Sequence, residues 1–430
     1  MSFMVFRSRF VLACGVVLFA MGGAAAAQTF VCGKARGAER PLTAATRYAS
    51  GSAGFDLVAS PTVQNGACSA TGSFYFSAPL AEGNYRVEVE LGGPEAAVTT
   101  VKAEARRLML LNVHTAAGAH TVERFAVNIR TTALPGGGNV RIKPREVGSL
   151  RWDDKLTLEF AGTHPSVRRI TVTPAPSIPT VYLAGDSTVV DQDKEPWAAW
   201  GQVLPLFFTD AIAVANHAES GETIASSESE LRFQKIFSTL RRGDYLFMQF
   251  GHNDQKPGKG YVPAATTYSD LTRKYVAMAR ERGATPVLVT SMNRRTFDSD
   301  GHITDTLAPY PQTVRSLAEE THSTLIDLNA CSKTLYEAVC EPHSRELFVY
   351  APANTYPDQP EALHDDTHFN SFGAYELARC VVRGIQQSDL PLRKSLRSGV
   401  AVFDPAHPDA PSAATIPASP AVAVQTPYGR

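Results

Sequence analysis

The sequence predicts two folded parts: an all-β sandwich, followed by an α/β domain whose parallel sheet is covered by helices on both faces. From residue 29 to about residue 173, apolar and polar residues alternate in many short runs, which is the pattern of half-buried strands. Beyond that region, short apolar runs alternate with helical patterns, which is typical of βα units. A proline-rich segment at 174–179 separates the two patterns, and we interpret it as a stiff linker.

The chain begins with the features of a secretory signal peptide. Arg7 and Arg9 precede a mostly apolar stretch, and the alanines at 24–27 offer cleavage sites. We therefore expect residues 1–27 to be removed on export to the periplasm or the extracellular space. The apolar stretch is short for a membrane span and no later segment is long enough, so no membrane contact is expected after cleavage.

The composition excludes two classes of protein. The chain has 430 residues, with 41 Lys and Arg against 42 Asp and Glu, whereas nucleic-acid-binding proteins carry a clear basic excess. Hydrophobic residues make up 44% of the chain, which argues against wholesale disorder. The length favours two domains over one.

The strand and helix patterns set the domain limits. Alternation is clearest at 85–91, 125–130 and 156–160, and it predicts an antiparallel sandwich over 28–175. The α/β domain is predicted over 179–395. Its five buried strands are predicted at Val181–Ala184, Ile212–Ala215, Tyr245–Phe250, Pro286–Thr290 and Thr324–Leu328. Residues 404–430 are rich in proline and alanine and are expected to form a disordered tail.

Five cysteines remain after the signal peptide, and export permits disulfides. Proximity in the sequence predicts the pairs Cys32–Cys68 and Cys331–Cys340. Cys380 is then expected to be a buried thiol inside a helix. No two cysteines show a C-x-x-C spacing, so a zinc site is not expected.

Four short motifs follow predicted strands or precede the last helix, where ligand sites of such sheets lie. They are Gly185-Asp186-Ser187, the segment Asn216 to Gly221, Gly251-His252-Asn253-Asp254, and Asp365-Asp366-Thr367-His368. Each motif alone is weak evidence, whereas four in this order are much stronger.

These four blocks resemble the SGNH (GDSL) hydrolase superfamily, and residues 182–385 resemble rhamnogalacturonan acetylesterases of carbohydrate esterase family 12. The resemblance implies a three-layer α/β/α, flavodoxin-like domain. One departure is Glu222-Thr223, where many members carry Arg-Ser. By analogy, the N-terminal region resembles the galactose-binding-like sandwiches that precede some bacterial members. Two roles are left open for it, binding of carbohydrate and covering of the cleft.

Ester hydrolysis explains the residue types. Ser187 is the expected nucleophile and His368 the general base, with Asp365 fixing the imidazole. Asp366 is the competing candidate for that last role. The expected oxyanion donors are the backbone N–H groups of Ser187 and Gly221 and the side-chain amide of Asn253.

Other polar residues have two interpretations. Asp186 is expected to hold the turn, and His217 and His252 to pack loops, so no metal is expected. Cations near the predicted mouth either attract galacturonate carboxylates or form ordinary solvated surface, and two tryptophans either stack on sugar or pack in the core. These residues are Lys256, Lys259, Arg294, Arg295, Trp197 and Trp200.

The sequence thus predicts an exported serine esterase, without a cofactor, that removes acetyl groups from a plant-wall polysaccharide, above all rhamnogalacturonan. Within enzymes, the alternatives are a deacetylase for xylan or another glycan and a general short-chain arylesterase. Outside enzymes, the alternative is an inactive carbohydrate-binding protein. The oligomeric state is left open.

Overall fold

A computed structural model describes residues 26–258, 260–356 and 359–420. Residues 1–25, most of the predicted signal peptide, lie outside this part, so the cleavage site stays a prediction. None of the helices in the described part combines the length and apolar character needed to cross a membrane.

The N-terminal part is built of strands packed as two sheets. The strands are β1 Gln28–Cys32, β2 Arg40–Leu42, β3 Gly54–Asp56, β4 Thr62–Gln64, β5 Ala67–Ser69, β6 Phe74–Pro79, β7 Gly83–Gly92, β8 Ala97–Ala103, β9 Arg107–Thr115, β10 His120–Ile129, β11 Lys155–Thr163 and β12 Ser166–Pro174. One sheet has the order β10-β7-β12-β1-β2, with β5 bonded to β12 and β4 to β5, and the other has the order β3-β6-β11-β8-β9. Neighbouring strands pair antiparallel, apart from the parallel pair β1 and β2.

The core of this sandwich comes from alternation along the strands. On β7, Val87, Val89 and Leu91 are fully buried between the sheets while Arg86 is exposed, as the period of two predicts. A disulfide between Cys32 and Cys68 confirms the first predicted pairing and links β1 to β5. The galactose-binding-like assignment stays a prediction.

The second part contains a five-stranded parallel sheet. Its strands are β13 Thr180–Gly185, β14 Ala213–Asn216, β15 Tyr245–Gln249, β16 Thr285–Val289 and β17 Thr324–Ile326. The spatial order β14-β13-β15-β16-β17 is that of flavodoxin-like folds, so the prediction of a parallel sheet is confirmed. A separate antiparallel pair, β18 Phe348–Ala351 and β19 Leu363–Phe369, lies off this sheet.

Helices cover both faces of the sheet and complete three layers. They are α1 Trp200–Val203, α2 Ile224–Ser229, α3 Arg232–Thr239, α4 Ser269–Glu281, α5 Tyr310–Glu320, α6 Leu328–His343 and α7 Ser371–Gln387. Apolar side chains of α1, α6 and α7 pack on one face, and those of α2 to α5 pack on the other. The strands β13 to β16 are therefore buried on both faces, which explains their nearly uninterrupted apolar sequences, whereas β17 at the edge is only partly buried.

The second predicted disulfide is wrong. Cys331 on α6 bonds to Cys380 on α7, with their Cα atoms 6.0 Å apart, and Cys340 is exposed and free. Nine residues of helix rise by about 13 Å, which is too far for Cys331 to reach Cys340 along the same helix. The packing of α7 against α6 brings Cys380 within reach instead.

The tail prediction is wrong for residues 404–420, which pack against the protein. The Ser419 hydroxyl accepts a hydrogen bond from Lys102 Nζ at 2.7 Å and donates one to Glu159 Oε2 at 2.5 Å. Both partners belong to the sandwich, so the tail returns from the α/β domain to the first domain. A proline-rich segment stays extended, yet its carbonyl and hydroxyl groups can still pair with buried charges. Residues 421–430 lie outside the described part.

The linker is partly buried, through Ala175 and Ile178, while Pro176 and Ser177 are exposed. Ala175 and Ile178 pack with Ala126 of the sandwich and Ala213 of the α/β domain. The linker therefore packs against the sandwich and against the α/β domain in one shared apolar cluster.

Candidate active site

Ser187 lies in a tight turn directly after β13. The backbone N–H groups of Val189 and Val190 donate to the Asp186 carbonyl at 3.0 and 3.1 Å. The Asp186 carboxylate accepts from the Thr188 N–H at 2.9 Å, so it holds the turn. The turn leads into a loop rather than directly into a helix, since α1 begins only at Trp200.

The structure brings Ser187, His368 and Asp365 into one hydrogen-bonded row. Ser187 Oγ lies 2.8 Å from His368 Nε2, and His368 Nδ1 lies 2.9 Å from Asp365 Oδ2. All three residues are buried, with exposed fractions of 3%, 2% and 6%. Helix α7 begins at Ser371, two residues after the end of β19.

Asp365 is fixed by several donors. Its Oδ1 accepts from the N–H groups of Thr367 and His368, both at 3.0 Å, and its Oδ2 accepts from Trp197 Nε1 at 3.3 Å. Burial acts to raise the pKa of Asp365, but the hydrogen bonds from His368 and the backbone outweigh it and lower the pKa to about 2. Asp365 is therefore ionised at neutral pH. The competing Asp366 points away from His368 and pairs with Arg295 at 3.0 Å.

Gly221 and Asn253 lie on neighbouring loops after β14 and β15. Gly221 has φ +76°, in a turn closed by the Glu222 N–H donating to the Glu219 carbonyl at 3.2 Å. Within the described part of the chain, the N–H groups of Ser187 and Gly221 donate to no other protein group. Asn253 Nδ2 donates to the Glu222 carbonyl at 2.9 Å, which sets the direction of its amide.

Asp254 ties these two loops together, a role that the sequence did not reveal. Its carboxylate accepts from the Gly251 N–H and from the Ile224 N–H at the start of α2, both at 2.9 Å. Burial raises the pKa of Asp254 to about 7. The motif signals that the position matters, but only the fold shows what it contacts.

Two of the predicted substrate-binding cations lack an acidic partner. Lys256 is half-buried. Arg294 donates to the side-chain oxygen of Gln255 at 2.7 and 2.9 Å, and makes longer hydrogen bonds, of 3.3 to 3.4 Å, to Thr306 and the His252 carbonyl. Neither forms an ion pair with a carboxylate in the described ranges. Burial lowers the pKa of Lys256, and so does the neighbouring Arg294. Lys259 lies outside the described residues.

Two other predicted substrate-binding residues, Arg295 and Trp200, are buried and bonded to other side chains of the protein. Arg295 is only 7% exposed, and its guanidinium is occupied by Asp366 and Glu341. Trp200 is 1% exposed, and its indole N–H donates to Gln249 Oε1 at 2.7 Å. Trp200 therefore has no exposed face for a sugar and follows the second of its two interpretations, packing in the core. Arg295 already binds two carboxylates of the protein, which speaks against a role in binding those of a substrate. Trp197 is likewise buried, against Asp365.

The two histidines outside the row pack against neighbouring side chains. The His217 ring lies against Trp152 and Tyr182, and His252 Nδ1 lies 3.5 Å from Asp186 Oδ2. Burial lowers the pKa of both imidazoles. Across the residues described, no group of three or more His, Cys, Asp or Glu side chains could hold a metal ion.

The sandwich also contributes to this site, which the sequence did not indicate. Its residues Arg107 and Arg151 pair with Asp191 at 2.7 Å and Asp193 at 2.9 Å, on the loop that follows Ser187. In the same loop, Gln192 Nε2 donates to the Ser187 carbonyl at 2.6 Å. The only sequence signal is a run of cations at 141–151, which by itself reads as solvated surface.

Comparisons with known proteins identify a family and several relatives. Residues 183–374 match the model of the GDSL-like Lipase/Acylhydrolase family. The rhamnogalacturonan acetylesterase RhgT of Bacillus subtilis (strain 168) is 45% identical over 220 residues, which are 51% of this chain and 94% of RhgT. The rhamnogalacturonan acetylesterase of Emericella nidulans is 25% identical over 250 residues, 53% of this chain and 93% of that protein. A crystal structure of YxiM from Bacillus subtilis aligns with a TM-score of 0.47 and 24% identity, over 85% of this chain and 99% of that one.

The chain belongs to the GDSL-like lipase/acylhydrolase family. Its four motifs, its parallel sheet and its similarity to RhgT are all consistent with this family. It is a carboxylic ester hydrolase.

Proposed function

We propose that the chain is an exported serine esterase that removes acetyl groups from acetylated rhamnogalacturonan through an acetyl-serine intermediate. The observation that carries the proposal is the buried row from Ser187 Oγ through His368 to the Asp365 carboxylate. This arrangement performs acyl transfer without a cofactor.

The first half of the reaction forms the acetyl-enzyme. Ser187 Oγ attacks the acetyl carbonyl carbon while His368 Nε2 takes the hydroxyl proton. Asp365 keeps the Nδ1–H directed at itself and stabilises the imidazolium. The tetrahedral intermediate collapses when His368 returns the proton to the departing sugar oxygen. A water molecule then attacks the acetyl carbon while His368 takes its proton, and His368 returns that proton to Ser187 Oγ as acetate leaves.

The negative charge on the tetrahedral oxygen needs donors that are already in position. The N–H groups of Ser187 and Gly221 have no protein partner in the described part, and the Asn253 amide carries a second N–H besides the one given to Glu222. These three donors form the proposed oxyanion hole. Such donors contribute most in a site from which water is excluded, and the burial of Ser187 and Asn253 provides that condition.

Two observations support a galacturonate-containing substrate. RhgT, at 45% identity, is named for this substrate. Lys256 and Arg294 lie beside the site and interact with the buried Asp186 carboxylate only at longer range, with no direct ion pair among the described residues, so their charge is available for an acidic polymer. A neutral polymer such as xylan would leave both charges unused.

Two disulfides in the described residues support export. Cys32–Cys68 and Cys331–Cys380 are of the kind found in oxidising compartments. N-terminal sequencing of the protein recovered from outside the cytoplasm tests this part, and we expect the mature chain to begin near residue 28. An uncleaved N-terminus would contradict it.

The serine mechanism is tested by comparing Ser187→Ala with Ser229→Ala, a substitution at an exposed serine of α2. Only Ser187→Ala should abolish hydrolysis of p-nitrophenyl acetate. Mass spectrometry of the wild type, quenched during turnover, should find an acetyl group on Ser187. Full activity of Ser187→Ala would end the proposal.

The substrate is tested by acetate release from acetylated rhamnogalacturonan and acetylated xylan at equal acetyl concentration. We expect a higher kcat/KM on rhamnogalacturonan. The reverse preference would contradict the proposed substrate and leave the serine mechanism intact.

A further inference from the structure

The sandwich reaches the proposed oxyanion hole through one loop. Residues 130–154, between β10 and β11, lie against the segment Glu219–Thr223, which contains Gly221. We call this segment the oxyanion segment. Three cations of the loop contact it, namely Lys143, Arg145 and Arg151.

Two of these cations bind a single carbonyl. The Ser220 carbonyl accepts from Lys143 Nζ at 2.9 Å and also from Arg145 Nη2. This carbonyl belongs to the same peptide group as the N–H of Gly221. A trans peptide directs its C=O and N–H in opposite directions. Holding the carbonyl towards the sandwich therefore directs the Gly221 N–H to the other side.

The same contacts strengthen the donor. A hydrogen bond accepted at a peptide carbonyl polarises the peptide group and makes its N–H a better donor, and this effect is larger away from water. Charged donors polarise more than neutral ones. The Ser220–Gly221 peptide has two of them on its oxygen.

Buried carboxylates on either side of this peptide fix the cations in turn. Glu219 Oε1 accepts from Arg145 Nε at 2.8 Å, and its Oε2 contacts Arg151. The Glu222 carboxylate pairs with Lys143, while the Glu222 carbonyl receives the Asn253 amide at 2.9 Å. Lys143 is thus linked to two proposed oxyanion donors, Gly221 and Asn253.

We propose that Lys143 and Arg145 of the sandwich are positioning residues of the oxyanion hole, acting by holding and polarising the Ser220–Gly221 peptide. The inference rests on the proposed function, because it requires the Gly221 N–H to stabilise the oxyanion. RhgT has no room for such a sandwich, since the 220 matched residues already make up 94% of it. The sandwich is then part of the catalytic apparatus of this chain, beyond any role in binding glycan.

The test compares three variants on p-nitrophenyl acetate, which carries no sugar, so that glycan binding by the sandwich does not enter the rate. Arg145→Met removes one of the two carbonyl contacts. The double variant Lys143→Met/Glu222→Gln removes the other together with its buried counter-charge, so that no unpaired ion is left to unfold the protein. We expect kcat to fall about tenfold in each, with KM nearly unchanged, since the donor is weakened and not removed. Lys143→Arg keeps a cation and should retain most of kcat.

The matched control is Glu82→Gln. Glu82 of the sandwich pairs with Lys235 of α3 at 2.7 Å, so this variant weakens the same domain interface without contacting the oxyanion segment. It should lower the melting temperature and leave kcat unchanged.

Two results would overturn the inference. One is an unchanged kcat in folded Arg145→Met and Lys143→Met/Glu222→Gln while Ser187→Ala is inactive. The other is an equal kcat loss in Glu82→Gln, which would indicate a general effect of loosening the interface. Failure of the proposed function looks different, because hydrolysis by the wild type would then not depend on Ser187 at all.

Discussion

Two groups of cations border the proposed active site, and their partners differ. On the sandwich side, Lys143, Arg145 and Arg151 pair with buried carboxylates. On the side formed by the loops after β15 and β16, Lys256 and Arg294 form no ion pair with a carboxylate in the described part. We call these the braced side and the open side. In the sequence both are basic residues in loops, so it is pairing, not position in the chain, that separates a structural cation from one available to a ligand.

The largest expected effect is on stability. Arg151→Met leaves Glu219 and Asp193 without the guanidinium they share, and we expect a loss of about 3–5 kcal/mol in the free energy of unfolding. The same change on the open side, Arg294→Met, breaks no ion pair and should cost less than about 1 kcal/mol. Urea denaturation measures both. Equal losses would remove the distinction between the two sides.

A second test concerns the Asn253 amide, which donates to the carbonyl of Glu222, the residue that pairs with Lys143 of the braced side. Asn253→Ala removes the amide that Glu222 orients, so kcat should fall by about 10²–10³-fold, or roughly 3–4 kcal/mol, with little change in KM. Steady-state kinetics on p-nitrophenyl acetate measures this. An effect on KM alone would exclude Asn253 from the oxyanion hole.

A third test concerns the open side. The double variant Lys256→Ala/Arg294→Ala should raise KM for acetylated rhamnogalacturonan by about tenfold, because the acidic polymer loses two attracting charges. KM for acetylated xylan should not change. For the wild type, KM on rhamnogalacturonan should also rise with salt, and this dependence should weaken in the variant. A matching loss on xylan would show that these residues act by shape and not by charge.

The smallest expected effect is the pH dependence of the stability that Glu219 of the braced side contributes to the fold. Burial acts to raise the pKa of Glu219, but Arg151, Arg232, Arg145 and Lys143 outweigh it and lower the pKa from 4.5 to about 2. A lowered pKa in the folded state means that this carboxylate stabilises the fold above about pH 4.5, and that the contribution is lost as the pH falls towards 2.

The melting temperatures of the wild type and of Glu219→Gln, measured from pH 6 to pH 2.5, check this sign. The gap between them should be widest near pH 6 and should narrow as the medium becomes more acidic. A gap that widens in acid would show that Glu219 is not held ionised by these cations.

The part of the site that the sequence predicts depends on local geometry. Ser187, Gly221 and Asn253 each follow a strand, and parallel strands bring their carboxyl ends to one edge. Asp365 and His368 are only three residues apart, and the Asp365 carboxylate accepts hydrogen bonds from both the backbone N–H and the side chain of His368. Short-range rules were therefore sufficient for these positions.

The rest depends on contacts between distant segments. Arg294 and Arg295 are neighbours in sequence, yet only Arg295 meets Asp366 and Glu341. Glu222 has a partner in Lys143, 79 positions earlier in the chain. Neither pairing has a local signature, because each arises only when two separately formed elements pack together.

The returning tail has a consequence for how this protein can be divided. The α/β domain is joined to the sandwich at its start by the linker, whose Ala175 and Ile178 are buried. At its end, Ser419 forms hydrogen bonds with Lys102 and Glu159 of the sandwich. A shortened chain that stopped at residue 403 would leave these two buried charges without the hydroxyl that bridges them. The two domains therefore do not behave as exchangeable modules, and a working boundary for transplanting the esterase has to include both the sandwich and the tail.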